Sequence, residues 1–448
     1  MLTQMTMKNK KLIVSVSGIR GILGETLTPQ EIIRYVSAFA EFMKRNYKNK
    51  NVIIGRDGRK NGEIIYSLII STLAMYGFKV YFIGVAPTPT IQIATSETNC
   101  TGGISVTASH NPQNWNGLKF LNPDGTFIDV KITNKIKRLA EKNIFKFANV
   151  NNITSPIPSY NWIYKHIEKA LSLKYINPKI IKKRKFKIVV DAVNSSGSII
   201  MPLFLKELGC EVINLYCDCS GIFPHQPEPL PKNLKSLSNA VLKYKADLGV
   251  AVDPDADRLV LITDNGKPFG EENTIATVIN FILRKNKGGN VTVNLSTTRA
   301  VEDIAKKYNS KVFRTPVGEI NVVNEMKRNN SICGGEGSGG VIIPDFLGGH
   351  YGRDSLFGIV IILQELAEMN KKISEYKMTL PSYKIVKTKL DNVKNPDSFL
   401  DNIIKSAKNK DCKITTIDGV KLDFPDYWIH YRKSNTEPII RIIKEFKI

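Results

Sequence analysis

The chain is predicted to be an α/β protein of four domains: three related α/β units with mixed, mostly parallel sheets, then a smaller C-terminal α+β domain. Three observations carry this expectation. Its 448 residues exceed what a single hydrophobic core organises, so two to four domains of about 100 to 200 residues each are expected. Apolar residues make up 42% and charged residues 23%, the balance of an ordinary globular protein. A pattern of apolar strand, turn, amphipathic helix and second strand recurs three times, which is how parallel βαβ units with right-handed crossovers read.

Taken in order, "TLTPQEIIRYVSAFAEFMKR" predicts a helix opened by a capping box from Thr28 to Glu31, with Pro29 at the first helical position. The first copy of the repeat is "NVIIGRDGR", a helix through "EIIYSLIISTLAMYG", and "FKVYFIG". A polar, Asn-rich stretch over 142–160 follows, which places domain 1 at residues 1–155. The second copy is "FKIVVDAVN", "SIIMPLFLKELG" and "CEVINLY". Domain 2, residues 156–265, ends at the Asn265-Gly266 turn after "RLVLITD". The third copy, "NVTVNLS", "TTRAVEDIAKKYN" and "SKVFRT", lies in domain 3, residues 266–372. From about Ile373 the signature stops, and residues 373–448 form the smaller domain 4.

The net charge of +23 raises the question of a nucleic-acid partner. The basic residues are scattered through Asn- and Ile-rich stretches such as "INPKIIKKRKFKIVV", as a bias towards A- and T-rich codons would leave them, and no DNA- or RNA-binding motif accompanies them. No nucleic-acid partner is expected. The six cysteines show no metal-ligand spacing; Cys217 and Cys219 are too close for a CxxC, so zinc is set aside and reduced thiols of a cytosolic protein are expected. The N-terminus has no apolar signal region and no run of about 18 apolar residues occurs, so a cytoplasmic protein without a membrane span is expected.

Four stretches carry chemistry. In "LGVAVDPDADRLVLITDNG", Asp253, Asp255 and Asp257 alternate with Pro254 and Ala256, so in an extended loop their carboxylates project from one side. Three hard oxygen ligands describe a divalent cation site, and Mg²⁺ suits one completed by phosphate oxygens. An EF-hand is excluded, because its sixth position is Arg258, its twelfth is Asp264, and its flanks read as strands. In "CGGEGSGGVIIPDFLGGHYGRDS" the glycines let a ligand approach the backbone, while Glu336 and Ser338 offer an acceptor and a donor matched to adjacent sugar hydroxyls. In "RKSNTEPIIRI", Arg432, Ser434, Asn435, Thr436 and Arg441 assemble the cations and hydroxyls of a phosphate clamp.

A fourth stretch, "GGISVTASHNPQNWNGLKF", sets Ser109 beside His110 and ahead of Lys119. A hydrolytic triad is set aside: adjacent residues of an extended segment point in opposite directions, and no G-x-S-x-G elbow is present. A serine beside a three-carboxylate site makes better sense as a phosphate carrier, its phosphoryl oxygen and the three aspartates sharing one Mg²⁺.

With T-A-S-H-N-P and its following N-G-x-K, D-P-D-A-D-R, G-E-G-S-G and R-x-S-N-T-E-P in this order, nearly the whole chain resembles the α-D-phosphohexomutase family. The resemblance implies four domains around a central cleft. It implies a phosphotransferase that interconverts hexose 6-phosphates and 1-phosphates through a phosphoserine at Ser109 and a hexose 1,6-bisphosphate, with Mg²⁺ on Ser109, Asp253, Asp255 and Asp257. It also assigns roles: Arg258 and Arg20, the latter in "SGIRG", near the phosphoserine; Lys119 as general acid or base; Glu336 and Ser338 on sugar hydroxyls; Arg432, Ser434, Asn435 and Thr436 on the non-reacting phosphate. "FPHQPEPLPKNL" resembles a further family stretch of structural role. The expected substrate is glucosamine 6-phosphate, with mannose or glucose phosphates as the alternative. Two departures stand out. Many relatives carry His where this chain has Gly340, for which His350 is the candidate replacement, and the usual F-G-T-D ahead of G-I-R-G is here "SVS".

Overall fold

A computed structural model describes residues 12–16, 18–433 and 439–448. The three repeats form three sheets. Strands Asn51–Arg56 and Lys79–Val85 pair in parallel across the helix Gly62–Met75. Lys187–Asp191 and Glu211–Tyr216 do so across Gly197–Glu207, and Val291–Asn294 and Val312–Thr315 across Ala300–Lys307. The central strands Gly102–Val106 and Leu248–Val252 are buried along their whole length, as strands covered by helices on both faces must be. Apolar side chains of all three units, among them Ile91, Ile188 and Ile275, belong to one continuous core.

Each unit adds the same device. A further strand pairs in parallel with the first strand of the repeat, then turns back on itself as an antiparallel hairpin. In the first unit the hairpin is Gly102–Val106 with Trp115–Leu121. In the second it is Leu248–Val252 with Leu259–Thr263, and in the third Cys333–Glu336 with Gly340–Ile342. The three hairpin tips carry Ser109, Asp253 to Asp257, and Gly337 to Gly339, so three motifs far apart in sequence occupy one topological position in three related units.

The fourth unit is a five-stranded antiparallel sheet in the order Tyr383–Leu390, Ile440–Lys447, Tyr427–Lys433, Val420–Asp423, Lys413–Thr415. It has a core of its own around Leu400, Val420 and Ile440. The helix Pro29–Asn46 starts as its sequence demands, with Thr28 Oγ1 accepting from Glu31 N at 3.3 Å. The carboxylate of Glu31 pairs with Arg34 rather than completing the box. All six cysteines are free. Among the described residues no helix is long and apolar enough to cross a membrane.

Candidate active site

Ser109 is 2% exposed and adopts a left-handed conformation, φ 50°, an uncommon state for a residue with a Cβ. What holds it is Arg59, a fully buried side chain. Its Nη2 donates to the carbonyls of Ser109 and Asn111 at 2.5 and 2.7 Å, and its Nη1 to those of Pro112 and Trp115 at 2.8 and 3.1 Å. Asp57 anchors the arginine at Nε, 3.1 Å, and also accepts from Thr107 Oγ1 at 2.7 Å. Arg59 was not among the site residues expected from sequence. The signal was the charged "RDGR" closing an otherwise apolar strand. The turn corrects one sequence expectation: the segment is not extended at Ser109, and Ser109 Oγ lies 3.3 Å from His110 Nδ1. Arg258, burial and Arg20 hold His110 well below the ordinary histidine pKa, which favours the neutral imidazole.

Asp253, Asp255 and Asp257 are all buried, and one oxygen from each lies within 4.8 Å of the others. The loop that carries them is a turn rather than an extended run, with Ala256 at φ 50° and the Pro254 carbonyl accepting from Ser195 and Ser196 Oγ at 2.6 and 2.8 Å. Asp253 Oδ2 accepts from Ser109 Oγ at 3.0 Å, which ties the serine to the carboxylates. Thr88 Oγ1 and Lys119 Nζ both donate to Asp255 Oδ2, at 2.7 and 2.6 Å. The Oδ1 atoms of Asp255 and Asp257 are buried without a partner among the described residues. Such oxygens are costly unless something satisfies them, and a hard divalent cation does. This donor set fits Mg²⁺. Burial and the neighbouring Asp257 and Asp255 push the Asp253 carboxyl well above the usual range, as like charges without their counterion must.

The cations complete the picture. Burial draws the pKa of Lys119 down, but Asp255 and Asp257 outweigh it and the net shift is upward. Asp255 and Asp257 thus favour the ammonium form of Lys119. Burial lowers the pKa of Arg20, which reaches Asn111 Oδ1 at 3.4 Å. Arg258 lies 3.7 Å from Glu228 of the "FPHQPEPLPKNL" stretch. The Nε atoms of Arg20 and Arg258 are buried without a partner among the described residues. Two unspent cationic donors near Ser109 suit a dianionic group there.

Glu336 is 6% exposed; its Oε1 accepts from Asn294 Nδ2 at 2.8 Å and Gly318 N at 2.9 Å, and its Oε2 from Arg353 Nη1 at 2.8 Å. Ser338 is half-buried at the hairpin tip. His350, the expected replacement for a histidine at Gly340, is engaged in a buried network. Its Nε2 contacts Asp354 Oδ2 at 3.0 Å, an oxygen shared with His166 Nε2 at 2.7 Å, while Asp354 Oδ1 caps the helix Ser355–Met369. In that network His166 Nδ1 also meets Thr90 Oγ1 at 2.8 Å. The residue that fills the room at Gly340 is Arg353: a Cβ there would lie 2.4 Å from Arg353 Cδ. Arg353 too was missed from sequence. In the fourth unit Arg432 Nε lies 2.8 Å from Asp418 Oδ2, which also accepts from Val317 N at 2.8 Å. The expected phosphate-binding residues Ser434, Asn435 and Thr436 lie outside the described residues. A cavity of ~550 Å³ opens behind the sugar loop, with Pro229, Phe269, Glu272, Leu380 and Glu445 in its walls.

Residues 11–169, 164–266 and 271–383 match family models for the α/β/α domains I, II and III of phosphoglucomutase/phosphomannomutase. The chain belongs to the phosphoglucomutase/phosphomannomutase family. A phosphoglucomutase/phosphomannomutase of Thermococcus kodakarensis is 38% identical over 96% of this chain and 93% of the relative. A phosphoglucosamine/phosphogalactosamine mutase of Sulfurisphaera tokodaii is 32% identical over 96% of this chain and 94% of its own. Among solved structures, a phosphoglucomutase/phosphomannomutase family protein of Burkholderia thailandensis superposes with a TM-score of 0.84 at 26% identity, covering 97% of this chain and 94% of that one. The protein is thus a phosphohexomutase, and the four sheets are its three α/β domains and an antiparallel fourth.

Proposed function

We propose that this phosphohexomutase carries its phosphoryl group on Ser109 and interconverts glucosamine 6-phosphate and glucosamine 1-phosphate. The observation that supports the chemistry best is Ser109 Oγ at 3.0 Å from Asp253 Oδ2, inside a carboxylate cluster with two orphaned oxygens and beside arginines with unspent N–H groups. Asp253, Asp255, Asp257 and a phosphoserine oxygen would hold Mg²⁺, which, when bound, offsets charge on the transferring phosphoryl. In the forward half-reaction the phosphorus–Oγ bond of phosphoserine breaks as a phosphorus–oxygen bond to the free sugar hydroxyl forms, giving a hexose 1,6-bisphosphate. Lys119 gives a proton to the departing Ser109 Oγ, which leaves as a neutral hydroxyl, and regains one as the attacking sugar hydroxyl gives up its own, so the step is proton-neutral. Glu336 and Ser338 hold sugar hydroxyls, and Arg20 and Arg258 hold the phosphate at Ser109. Arg432, with Ser434, Asn435 and Thr436, grips the other phosphate while the intermediate turns around and returns a phosphoryl to Ser109.

The Sulfurisphaera relative supports the amino sugar. The Thermococcus relative, at higher identity, supports a second reading in which glucose and mannose phosphates are the substrates. A coupled assay of purified protein on the 6-phosphates of glucosamine, glucose and mannose, compared by kcat/KM, decides between them. Peptide mass spectrometry of residues 102–120 after incubation with a hexose 1,6-bisphosphate tests the phosphoserine, and an unmodified Ser109 would refute it.

A further inference from the structure

Arg353 stands where the metal loop meets the sugar loop, and it is 9% exposed. Its three nitrogens reach carboxylates on three segments: Nε to Glu319 Oε2 at 2.9 Å, Nη1 to Glu336 Oε2 at 2.8 Å and Nη2 to Asp257 Oδ2 at 2.7 Å. Glu319 in turn accepts from Gln92 Nε2 at 3.1 Å, so all three α/β units converge on one guanidinium. Gly340 makes the room, since any Cβ there would collide with the arginine stem.

The hydrogen-bond accounting at both carboxylates is specific. Glu336 Oε1 already accepts two bonds, so Arg353 takes one of the two acceptor positions on Oε2 and leaves one for a ligand hydroxyl. Asp257 Oδ2 is shared by Arg353 and, at 3.3 Å, Lys119, which leaves Oδ1 as the unpaired oxygen. One cation therefore orients a carboxylate in each loop. A guanidinium is planar and rigid, and it stays charged at any working pH. It does not exchange a proton and cannot act as the acid or base that a side chain at Gly340 would supply.

We propose that Arg353 is a positioning residue that holds Asp257 and Glu336 in one rigid frame, so that the sugar hydroxyl on Glu336 sits at a set distance from the transferring phosphoryl. This rests on the assignment of Asp257 to the metal and Glu336 to the sugar. The guanidinium acts through these two carboxylates rather than on the substrate, and its geometry sets how closely the second and third units must approach for turnover.

Arg353→Lys keeps the charge and most of the stem but loses the planar fork. The expected result is a thermal midpoint close to wild type, Mg²⁺ affinity by calorimetry without sugar weakened roughly tenfold or more, and kcat lowered by about a hundredfold with a smaller change in KM. Gly340→Ala removes no charge and adds one methyl group 2.4 Å from Arg353 Cδ. It should weaken Mg²⁺ binding and lower kcat in the same direction. If either variant changes only the thermal midpoint, leaving Mg²⁺ affinity and kcat at wild-type values, Arg353 is structural and the proposal is overturned. Asp257→Asn run alongside separates the two levels. Should it leave Mg²⁺ affinity and activity intact, the site assignment fails. Should it abolish both while Arg353→Lys matches wild type, only the positioning role fails.

Discussion

The hairpin tips of the second and third units occupy the same place in related sheets, yet their oxygen atoms are in opposite states. At the metal loop, Asp255 and Asp257 each keep a buried oxygen without a partner among the described residues, although Lys119, Thr88 and Arg353 crowd their other oxygens. At the sugar loop both oxygens of Glu336 are engaged by Asn294, Gly318 and Arg353. An unsatisfied buried carboxylate oxygen is costly unless a cation meets it, which is what the proposed metal site asks of the first loop. The second, nearly saturated, accepts only the one further hydrogen bond that a hydroxyl can give. The same topology thus presents carboxylates in two states, and what separates them is how many lone pairs the neighbouring side chains leave open.

The comparison breaks most completely at the serine that the metal loop serves. Ser109→Ala removes the proposed phosphoryl carrier and is expected to lower kcat by several orders of magnitude with an unchanged fold, checked by the coupled assay and circular dichroism. Next comes the metal loop itself. Asp255→Asn keeps the shape and removes one charge, so both kcat and Mg²⁺ affinity should fall by roughly a hundredfold, and a chelator should silence the wild type. Full activity in the presence of chelator would show that the open oxygens serve something other than a metal.

Away from the metal loop the effects are smaller. Arg432→Ala in the fourth unit loses a charge-assisted contact of about 1.5–3 kcal/mol, which is roughly ten- to a hundredfold in kcat/KM. The variant should also depend on added hexose 1,6-bisphosphate, because the intermediate escapes. Glu336→Gln retains hydrogen-bonding capacity but not the charge facing Arg353; KM for the hexose phosphate should rise about tenfold, with Mg²⁺ affinity in the absence of sugar moving less. Equal losses in both would mean that the two loops are not chemically distinct.

The smallest expected effect concerns stability. Glu272 abuts the sugar loop, where a Cβ on Gly337 would lie 1.9 Å from its Oε2, and burial raises its pKa from 4.5 to about 8. An acid whose folded pKa is raised binds its proton more tightly in the native state, so its contribution is complete below pH 4.5 and is lost as pH rises through about 8. Glu272→Gln cannot lose that proton. Its thermal midpoint should decline less than that of wild type between pH 6 and pH 9, and the difference should be modest because the side chain is only half-buried. Parallel curves would place the proton elsewhere.

Local sequence determined a great deal here. The three strand–helix–strand repeats follow from hydrophobic period and turn residues, which act over a dozen positions, and all three came out as parallel pairs. The aspartate cluster was legible because three ligands on one short loop need no long-range contact to be neighbours. The tertiary structure decided the rest. Whether Ser109 faces His110 depends on one left-handed residue held by Arg59 from a separate segment. Whether His350 or Arg353 fills the space at Gly340 depends on which stem meets a missing Cβ once the chain has folded back. Lys119, read from sequence as an acid or base, donates to Asp255, 136 positions away in the chain. Side-chain charge state and lone-pair occupancy are set by neighbours in space, and one-dimensional patterns carry those neighbours only when they happen to be close along the chain.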